Sequence, residues 1–463
     1  MRPPVPPTRL LADPPFSSLM DYEDAGGGGG LRRAESGTPA ELIDELARAG
    51  LRGRGGAGFP TALKWRSIVN GGGRHHYAVC NAAEGEPGTF KDRALLQANP
   101  YQVIEGLIAA ARAVGAVEAF IALKASFRRE TERVETALAE MSEAGWFKGI
   151  ELRVVTGPEE YLFGEEKALL EVIEGNDPLP RWLPPYLHGL YATAPQLGWQ
   201  AHELEEGHSG EHVSNPTLVN NAETLAQAAW ILANGAEAFR AIGTADSPGT
   251  VLCTVVGDVS RPAVHEVPMG TSLAEVLELS GGPLPGRRIK AVFPGVANAV
   301  LTGELLDVLL SYEGMEAAGS GLGAGGFIVY DDSACMVEVA ATLSRFLYVE
   351  SCGQCLPCKL GTGQITAALE ALRDGRGSDR DLDVITERLR VVADASRCYL
   401  PVQEQNLVSS ILETFPDDVA AHVDGGCLSD RTQLPIPKVL ELSDGVVTYD
   451  QRQERKQPDW TYV

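Results

Sequence analysis

The sequence lacks a long apolar run: in its 463 residues, no stretch reaches the roughly 18–20 apolar residues that a membrane helix needs. It is also poor in positive charge, since 39 basic residues stand against 63 acidic ones and the net charge is −24. Such an excess of negative charge argues against nucleic acid and anionic lipid as partners. The proline-rich start is not followed by the apolar segment of a secretory signal. We therefore expect no nucleic-acid ligand and no direct membrane insertion.

Cysteine is scarce, and half of the eight cysteines belong to one pattern. Cys352, Cys355 and Cys358 form a C-x-x-C-x-x-C run, and Cys398 follows in S-R-C-Y-L-P. Thiolates select iron–sulfur clusters and zinc over hard cations. Three close thiolates with one distant thiolate suit a bridging cluster, whereas zinc more often takes two separated pairs. The pattern favours a [4Fe–4S] cluster, with a zinc site and a purely structural cysteine group as alternatives.

The other four cysteines, Cys80, Cys253, Cys335 and Cys427, are scattered along the chain. We interpret them as small core residues or incidental thiols. Cysteine usage of this kind is typical of a reducing compartment and predicts a cytoplasmic location, with a position peripheral to a membrane complex as the alternative. No Ser/His/Asp or Cys/His arrangement for nucleophilic catalysis is recognisable in the sequence.

A glycine-dense loop follows a helix whose start is marked by Thr38, Pro39 and Glu41, a capping-box pattern. The closely spaced glycines of the loop are Gly53, Gly55, Gly56 and Gly58. Without Cβ atoms, their backbone N–H groups can approach a ligand and form a concave nest suited to phosphate. Lys64 adds a positive charge close by. Because no strand precedes the loop, it lacks the context of a Rossmann fingerprint, and a generic flexible loop is the alternative.

Amide and carboxylate groups follow a predicted buried strand at residues 77–80. They are Asn81, Glu84 and Glu86. Ligands of α/β proteins bind at the carboxyl ends of strands, and carboxylates there accept ribose hydroxyls and repel a 2′-phosphate. A solvated acidic turn is the alternative explanation.

Two later motifs have the same character. Gly164, Glu165 and Glu166 open a predicted helix, and Asn220 and Asn221 directly precede another. Acidic residues in a first helical turn are also favoured by the helix dipole, without any ligand.

Five motifs occur in series: G-R-G-G-A-G-F-P-T, C-N-A-x-E-x-E-P-G-T-F-K-D-R, Y-x-x-G-E-E, P-T-x-V-N-N-x-E-T-L and E-S-C-G-x-C-x-P-C. In this order they resemble the NADH-binding, flavin-carrying F-type subunit of respiratory complex I, a module that also occurs in NAD-linked hydrogenases and formate dehydrogenases. The resemblance covers about residues 38–422. It implies an NADH dehydrogenase that passes a hydride from NADH to FMN, and single electrons from FMN to a [4Fe–4S] cluster and a partner redox protein. The cofactors would carry this chemistry, so no catalytic side chain is expected.

The resemblance also implies the site residues. Those expected around FMN are Gly53, Arg54, Gly55, Lys64, Asn81, Tyr161, Gly164, Asn220, Asn221 and Thr224, with Gly56 and Gly58 of the same loop. Those expected along the NADH pocket are Phe59, Glu84, Glu86, Glu165, Glu166 and Tyr186. Those expected to hold the [4Fe–4S] cluster are Cys352, Cys355, Cys358 and Cys398. The partner that the family implies is a thioredoxin-like [2Fe–2S] subunit or another redox protein.

Four positions depart from the usual family residues. Ala83 replaces an acid, Gly85 a serine, Leu183 a basic residue and Lys167 a threonine. Ala83, Leu183 and Lys167 motivate an alternative function, an electron-transfer adaptor that keeps FMN and the cluster but does not oxidise NADH productively. The acidic residues of the pocket favour NADH over NADPH by charge repulsion.

Changes in composition and in hydrophobic periodicity along the sequence divide the chain into five predicted parts. They are a disordered leader rich in proline and glycine (1–36), an α/β FMN- and NADH-binding domain (37–245), a domain of short strands that resembles the ubiquitin-like β-grasp (SLBB) domain (246–332), a helical [4Fe–4S] domain (333–425) and a C-terminal extension (426–463). Within the extension, two short strands are expected around Ser443, Asp444 and Gly445.

Overall fold

The computed structural model describes residues 9–73, 75–194, 213–429, 431 and 433–462. The chain divides into two compact units. The first comprises residues 1–84 and 92–250, and the second comprises residues 85–91 and 251–463. No helix within the described ranges is long and apolar enough to cross a membrane.

A parallel sheet forms the centre of the first unit. Its strands are β1 (Tyr77–Asn81), β2 (Glu118–Lys124), β3 (Glu151–Gly157) and β4 (Thr217–Asn221). They lie in the order β3-β2-β1-β4, and every neighbouring pair is parallel. The two central strands are apolar and almost wholly buried, as expected of a parallel sheet that is covered on both faces. The carboxyl ends of all four strands therefore meet at one edge.

Helices surround this sheet. They are α1 (Leu19–Asp24), α2 (Gly29–Ser36), α3 (Pro39–Ala49), α4 (Thr61–Asn70), α5 (Lys91–Ala98), α6 (Pro100–Val114), α7 (Arg128–Glu143), α8 (Glu166–Ile173), α9 (Ala222–Asn234) and α10 (Ala236–Arg240). The capping box predicted at Thr38 is present, and α3 ends at Gly50, whose left-handed backbone suits glycine. Helix α6 is buried on almost every face because it packs against both β1 and α9.

The prediction of a disordered leader is wrong for residues 9–36, which form α1, α2 and their connections; residues 1–8 lie outside the described residues. The buried carboxylate of Glu105 on α6 organises this segment. It accepts hydrogen bonds from the Tyr22 hydroxyl (2.6 Å) and from the backbone N–H groups of Gly28 (2.9 Å) and Leu31 (2.9 Å). Such a carboxylate is costly to bury without donors, so the segment completes the core of the domain.

Part of the glycine run in the leader, from Gly27 to Gly30, reflects close packing. A Cβ on Gly30 would lie 2.7 Å from the carbonyl oxygen of Ala229 on α9, closer than real Cβ atoms approach backbone. Composition alone could not distinguish this requirement for small residues from the glycine content of a flexible linker.

The second unit begins with a five-stranded sheet. Its strands are β5 (Thr250–Gly257, of which Thr250 belongs to the first unit), β6 (Ala263–Pro268), β7 (Ile289–Pro294), β8 (Leu301–Thr302) and β9 (Gly326–Asp331), in the order β6-β5-β9-β7-β8. The central pair β5–β9 is parallel, and β7 runs antiparallel to both of its neighbours. Two short helices, α11 (Leu273–Leu279) and α12 (Tyr312–Ala317), accompany this sheet, and their apolar residues join its core.

Helices form the rest of the second unit. They are α13 (Met336–Glu350), α14 (Leu356–Arg373), α15 (Asp379–Val391), α16 (Leu400–Thr414) and α17 (Pro416–Val423). Helices α13, α14 and α16 pack against one another. The extension contains the antiparallel hairpin of β10 (Val439–Ser443) and β11 (Val446–Tyr449), as predicted, with Asp444 and Gly445 at its turn.

Candidate flavin, nicotinamide and cluster sites

Three predicted amides meet at the carboxyl edge of the parallel sheet. Asn81 ends β1 and lies in register with Asn221, which ends β4, and Asn220 is the residue before it. The Asn81 side-chain amide donates to the backbone carbonyl of Gly164 (2.7 Å), and the Trp65 indole N–H donates to the side-chain amide oxygen of Asn220 (2.8 Å). Parallel pairing of β1 and β4 therefore brings together motifs that are far apart in the sequence.

The glycine-dense loop is a closed turn ahead of α4. The N–H of Gly53 donates to the carbonyl of Phe59 (2.8 Å), which joins the two ends of the loop. Gly56, with a φ of 128°, requires the freedom of glycine. A Cβ on Gly55 would lie 3.0 Å from the Cβ of Asn221, so the loop passes directly over the end of β4. Because this loop has glycine where side chains would occupy the space, its backbone N–H groups are accessible to a phosphate-bearing ligand such as FMN.

Arg54 anchors this loop from within the unit. Its backbone N–H donates to the Thr224 hydroxyl (2.8 Å) in the first turn of α9. Its guanidinium is buried, donates to the carbonyls of Pro248 (3.2 Å) and Thr250 (3.1 Å), and lies 3.9 Å from the Glu223 carboxylate. The side chain therefore points into the protein, and a contact of Arg54 with flavin would come from its backbone.

Lys64 and Glu166 connect the two predicted nucleotide sites. The Lys64 ammonium lies 2.6 Å from a Glu166 carboxylate oxygen, and both side chains are partly exposed. Lys64 is the cation expected beside the FMN phosphate, and Glu166 is expected to line the NADH pocket. An anionic ligand would therefore share this cation with a carboxylate.

Glu165 caps helix α8. Its carboxylate accepts hydrogen bonds from the N–H groups of Lys167 (3.0 Å) and Ala168 (2.9 Å). Burial raises the pKa of Glu165 to about 7, although the Lys167 ammonium and the two N–H groups favour the charged form. The residue therefore titrates near neutral pH.

The two acids after β1 have different surroundings. Glu84, in the first unit, accepts hydrogen bonds from the N–H groups of Asp92 (3.3 Å) and Arg93 (3.5 Å). Glu86 belongs to the second unit, where its carboxylate accepts from the N–H of Val296 (3.0 Å). Burial raises the pKa of Glu86 to about 7, while the Val296 N–H and Lys91 lower it. Both carboxylates thus bind backbone N–H groups within their own unit.

The remaining residues predicted for the nucleotide sites vary in exposure. Phe59 and Tyr186 are exposed aromatic rings, 54% and 42% accessible, which is the condition for stacking on a ligand. Tyr161 starts a short 3₁₀ segment that ends at Gly164. A Cβ on Gly164 would lie 3.0 Å from the backbone carbonyl oxygen of Ala83. Ala83 itself is buried in an apolar cluster.

The four predicted cluster cysteines lie in the loop between α13 and α14, in the first turn of α14 and just before α16. Cys352 follows α13, Cys355 caps α14 and Cys358 lies in the first turn of α14. Cys398 lies just before α16. Helix N-termini favour negative charge, which suits thiolates and an anionic cluster.

Lys359 fixes the cysteine loop. Its ammonium donates to the carbonyls of Ser351 (2.7 Å) and Tyr348 (3.4 Å) on one side and to that of Pro458 (2.6 Å) in the C-terminal extension. The extension, for which the sequence suggested no role, therefore supports the cluster-binding segment.

Sequence reasoning missed one group of side chains. Cys335, His422 and Cys427 place their ligand atoms within 4.8 Å of one another, although the sequence alone suggests that the two cysteines are incidental thiols. The five-residue spacing of His422 and Cys427 is the only local signal, because Cys335 is brought to them by the fold.

Three family models match the chain. They are the Nuo51 FMN-binding domain (residues 46–230), the SLBB domain (252–293) and the NADH-ubiquinone oxidoreductase-F iron-sulfur binding region (338–422). The F 2 subunit of NADH-quinone oxidoreductase from Rhizobium meliloti is 37% identical over 89% of this chain and 96% of its own length. The HndC subunit of the NADP-reducing hydrogenase from Solidesulfovibrio fructosivorans is 35% identical over 88% of this chain and 81% of its own length.

A solved structure is similar as well. It is a crystal structure of NAD⁺-reducing [NiFe]-hydrogenase in the H₂-reduced state, which matches with a TM-score of 0.75 and 33% identity. The match covers 88% of this chain and 67% of the hydrogenase chain.

Proposed function

Because this chain belongs to the family of NADH-quinone oxidoreductase F subunits, we propose that it is the component through which electrons from NADH enter a redox complex. The family, the fold class and the FMN and [4Fe–4S] cofactors predicted from the motifs are confirmed by the family models and the relatives. The comparisons favour NADH oxidation over the adaptor function that the departures at Ala83, Leu183 and Lys167 suggested.

The observation that carries this proposal is the convergence of Asn81, Asn220, Asn221 and the glycine loop at the carboxyl edge of one parallel sheet. Bound here, FMN would supply the chemistry that couples hydride transfer from NADH to single-electron transfer toward a cluster. The loop would hold the FMN phosphate through backbone N–H groups. The strand-end amides would orient the flavin. No side chain in this arrangement has to act as a general base.

The choice of NADH over NADPH belongs to the same proposal. Glu84, Glu165 and Glu166, all in the first unit, would line the nicotinamide pocket with carboxylates. A carboxylate favours ribose hydroxyls and disfavours a 2′-phosphate by repulsion. The exposed rings of Phe59 and Tyr186 would stack on the bases of the coenzyme.

The partner proposal is supported by apolar residues next to the cluster cysteines. Leu356 and Leu360, one turn apart on α14, are 69% and 61% exposed, and Leu356 directly follows Cys355 in the chain. Exposed apolar residues beside a redox centre suit a docking partner to which electrons pass. We propose that this partner is a thioredoxin-like [2Fe–2S] subunit or another redox protein, and that the reaction takes place in the cytoplasm.

The test is a visible spectrum of the protein purified without oxygen, recorded before and after stoichiometric NADH or NADPH. We expect NADH to bleach the flavin bands and the broad iron–sulfur absorbance, and NADPH to act much more slowly. If dithionite bleaches both chromophores while NADH bleaches neither, the protein is an adaptor. Equal rates with both coenzymes would refute only the proposed specificity.

A further inference from the structure

Cys335, His422 and Cys427 form a compact Cys₂His group in the second unit, apart in sequence from the predicted cluster cysteines. Their two sulfur atoms and one nitrogen all lie within 4.8 Å of one another, and the Cys335 Sγ and His422 Nε2 are 3.2 Å apart. Two thiolates around a tetrahedral zinc ion are roughly 3.8 Å apart, given Zn–S bonds of about 2.3 Å. The group is therefore at the spacing of a single small ion.

The orientation of His422 suits a ligand. Its Nδ1 lies 3.0 Å from the carbonyl oxygen of Leu372, an acceptor, so Nδ1 carries the proton. The unprotonated Nε2 then lies beside the Cys335 sulfur. A carbonyl behind the ring that fixes the tautomer is the usual support of a metal-binding histidine.

The protein also holds the two cysteines in place. Cys335 caps α13, where its sulfur accepts a hydrogen bond from the N–H of Glu338 (3.4 Å). The segment that follows α17 lies beside residues 333–335 and forms hydrogen bonds with them. The Ser429 hydroxyl donates to the carbonyl of Ala334 (3.1 Å), and the Cys335 N–H donates to that of Arg431 (3.2 Å). Arg431 is in turn bound to Asp258 (2.5 and 2.8 Å).

We propose that Cys335, His422 and Cys427 bind one zinc ion, with water as the fourth ligand on the exposed side of Cys427. Two thiolates and an imidazole are soft donors that select zinc and exclude magnesium and calcium. Binding would release the thiol protons to solvent. The ion would tie the start of the C-terminal extension to the start of α13, independently of the [4Fe–4S] centre.

The test is the metal content of the full-length protein, purified without oxygen from zinc-supplemented cells, together with zinc K-edge X-ray absorption. We expect about one zinc and about four irons per chain, with two sulfur ligands at about 2.3 Å and one nitrogen at about 2.0–2.1 Å. The absorption edge of zinc is separate from that of iron, so the cluster does not interfere. Because zinc content is measured without NADH, failure of the proposed oxidoreductase activity would leave this test unaffected.

Three variants make the result specific. Cys427→Ser should remove at least nine-tenths of the zinc and leave the iron unchanged. Leu428→Ser, a change at the exposed neighbouring position, should retain both metals. Cys398→Ser should lose iron and retain zinc.

Three outcomes would overturn the proposal. One is a wild-type protein without zinc, whether Cys335 and Cys427 prove to be thiols or a disulfide by mass spectrometry. Another is zinc bound by sulfur alone, which would indicate zinc in place of the cluster. The third is a Cys427→Ser variant that keeps its zinc.

Discussion

The ammonium of Lys456 lies 2.8 Å and 2.9 Å from the two carboxylate oxygens of Glu350, and both side chains are completely buried. Glu350 is the last residue of α13, two positions before Cys352, whereas Lys456 belongs to the C-terminal extension. Removing only one partner of a buried ion pair strongly destabilises a protein, because the other charge stays buried without compensation. The extension is therefore part of the structure that holds the cluster-binding loop.

Lys456→Met should destabilise the protein by about 3–5 kcal/mol, because it leaves the Glu350 carboxylate buried without its cation. We expect fewer irons per chain and a lower melting temperature, measured by iron analysis and calorimetry. Arg455→Met changes an exposed neighbour and should alter neither. The double variant Glu350→Gln/Lys456→Met should recover part of the loss. If Lys456→Met kept full iron and full stability, the supporting role of the extension would be refuted.

Lys64→Met should weaken the retention of FMN about tenfold, because it removes the cation proposed to face the phosphate, a loss of about 1.4 kcal/mol. Fluorescence titration of the flavin-depleted protein with FMN measures this change. Arg66→Met is the matched control, since Arg66 lies on the same helix but pairs with Asp44. Equal FMN affinity in both variants would place the phosphate elsewhere.

The KM for NADH should rise as the pH falls below about 7, because the Glu165 carboxyl, whose pKa burial raises to about 7, then becomes protonated. The proposal assigns the ribose hydroxyls to the ionised carboxylate, which is the majority form only above that pH. Steady-state assays between pH 5.5 and 8.5 test this dependence. Glu165→Gln should flatten the profile, and an unchanged slope in that variant would show that another group titrates.

A buried carboxyl should also make stability depend on pH. Glu404 on α16 accepts a hydrogen bond from the Ser344 hydroxyl (2.6 Å), and its second oxygen has no hydrogen-bond partner among the described residues. Burial raises its pKa to about 8. Between the unfolded pKa and pH 8, the folded state keeps a proton that the unfolded state releases, so stability falls as the pH rises.

Glu404→Gln should remove this loss, which is of the order of a few kcal/mol. The melting temperature of the wild type should fall from pH 5.5 to pH 8.5 more steeply than that of the variant. Glu413→Gln, an exposed position on the same helix, serves as the control. If the melting temperatures of all three proteins fell equally from pH 5.5 to pH 8.5, Glu404 would not be protonated in the folded state.

Local patterns predicted the elements best. The capping box at Thr38, the buried strand that ends at Asn81 and the tail hairpin around Asp444 each depend on neighbouring residues, and each is found. The order of the FMN-binding, SLBB and iron–sulfur regions along the chain followed from the motifs, and the family models confirm it.

Long-range contacts explain what the sequence could not reveal. The order of residues 9–36 depends on the carboxylate of Glu105, and the glycines there satisfy packing against α9. The inward direction of Arg54 and the pairing of Lys64 with Glu166 join residues distant in the chain. Only folding brings Cys335 to His422 and Cys427.

The central claim is that electrons from NADH pass through this chain to its own cluster. The most direct measurement is the low-temperature electron paramagnetic resonance spectrum of the anaerobic protein, frozen after addition of NADH, for the wild type and Cys398→Ser. We predict the signal of a reduced [4Fe–4S] cluster in the wild type, and a bleached flavin without that signal in the variant. A wild type whose flavin is bleached by NADH, but whose cluster is reduced by dithionite alone, would contradict the account.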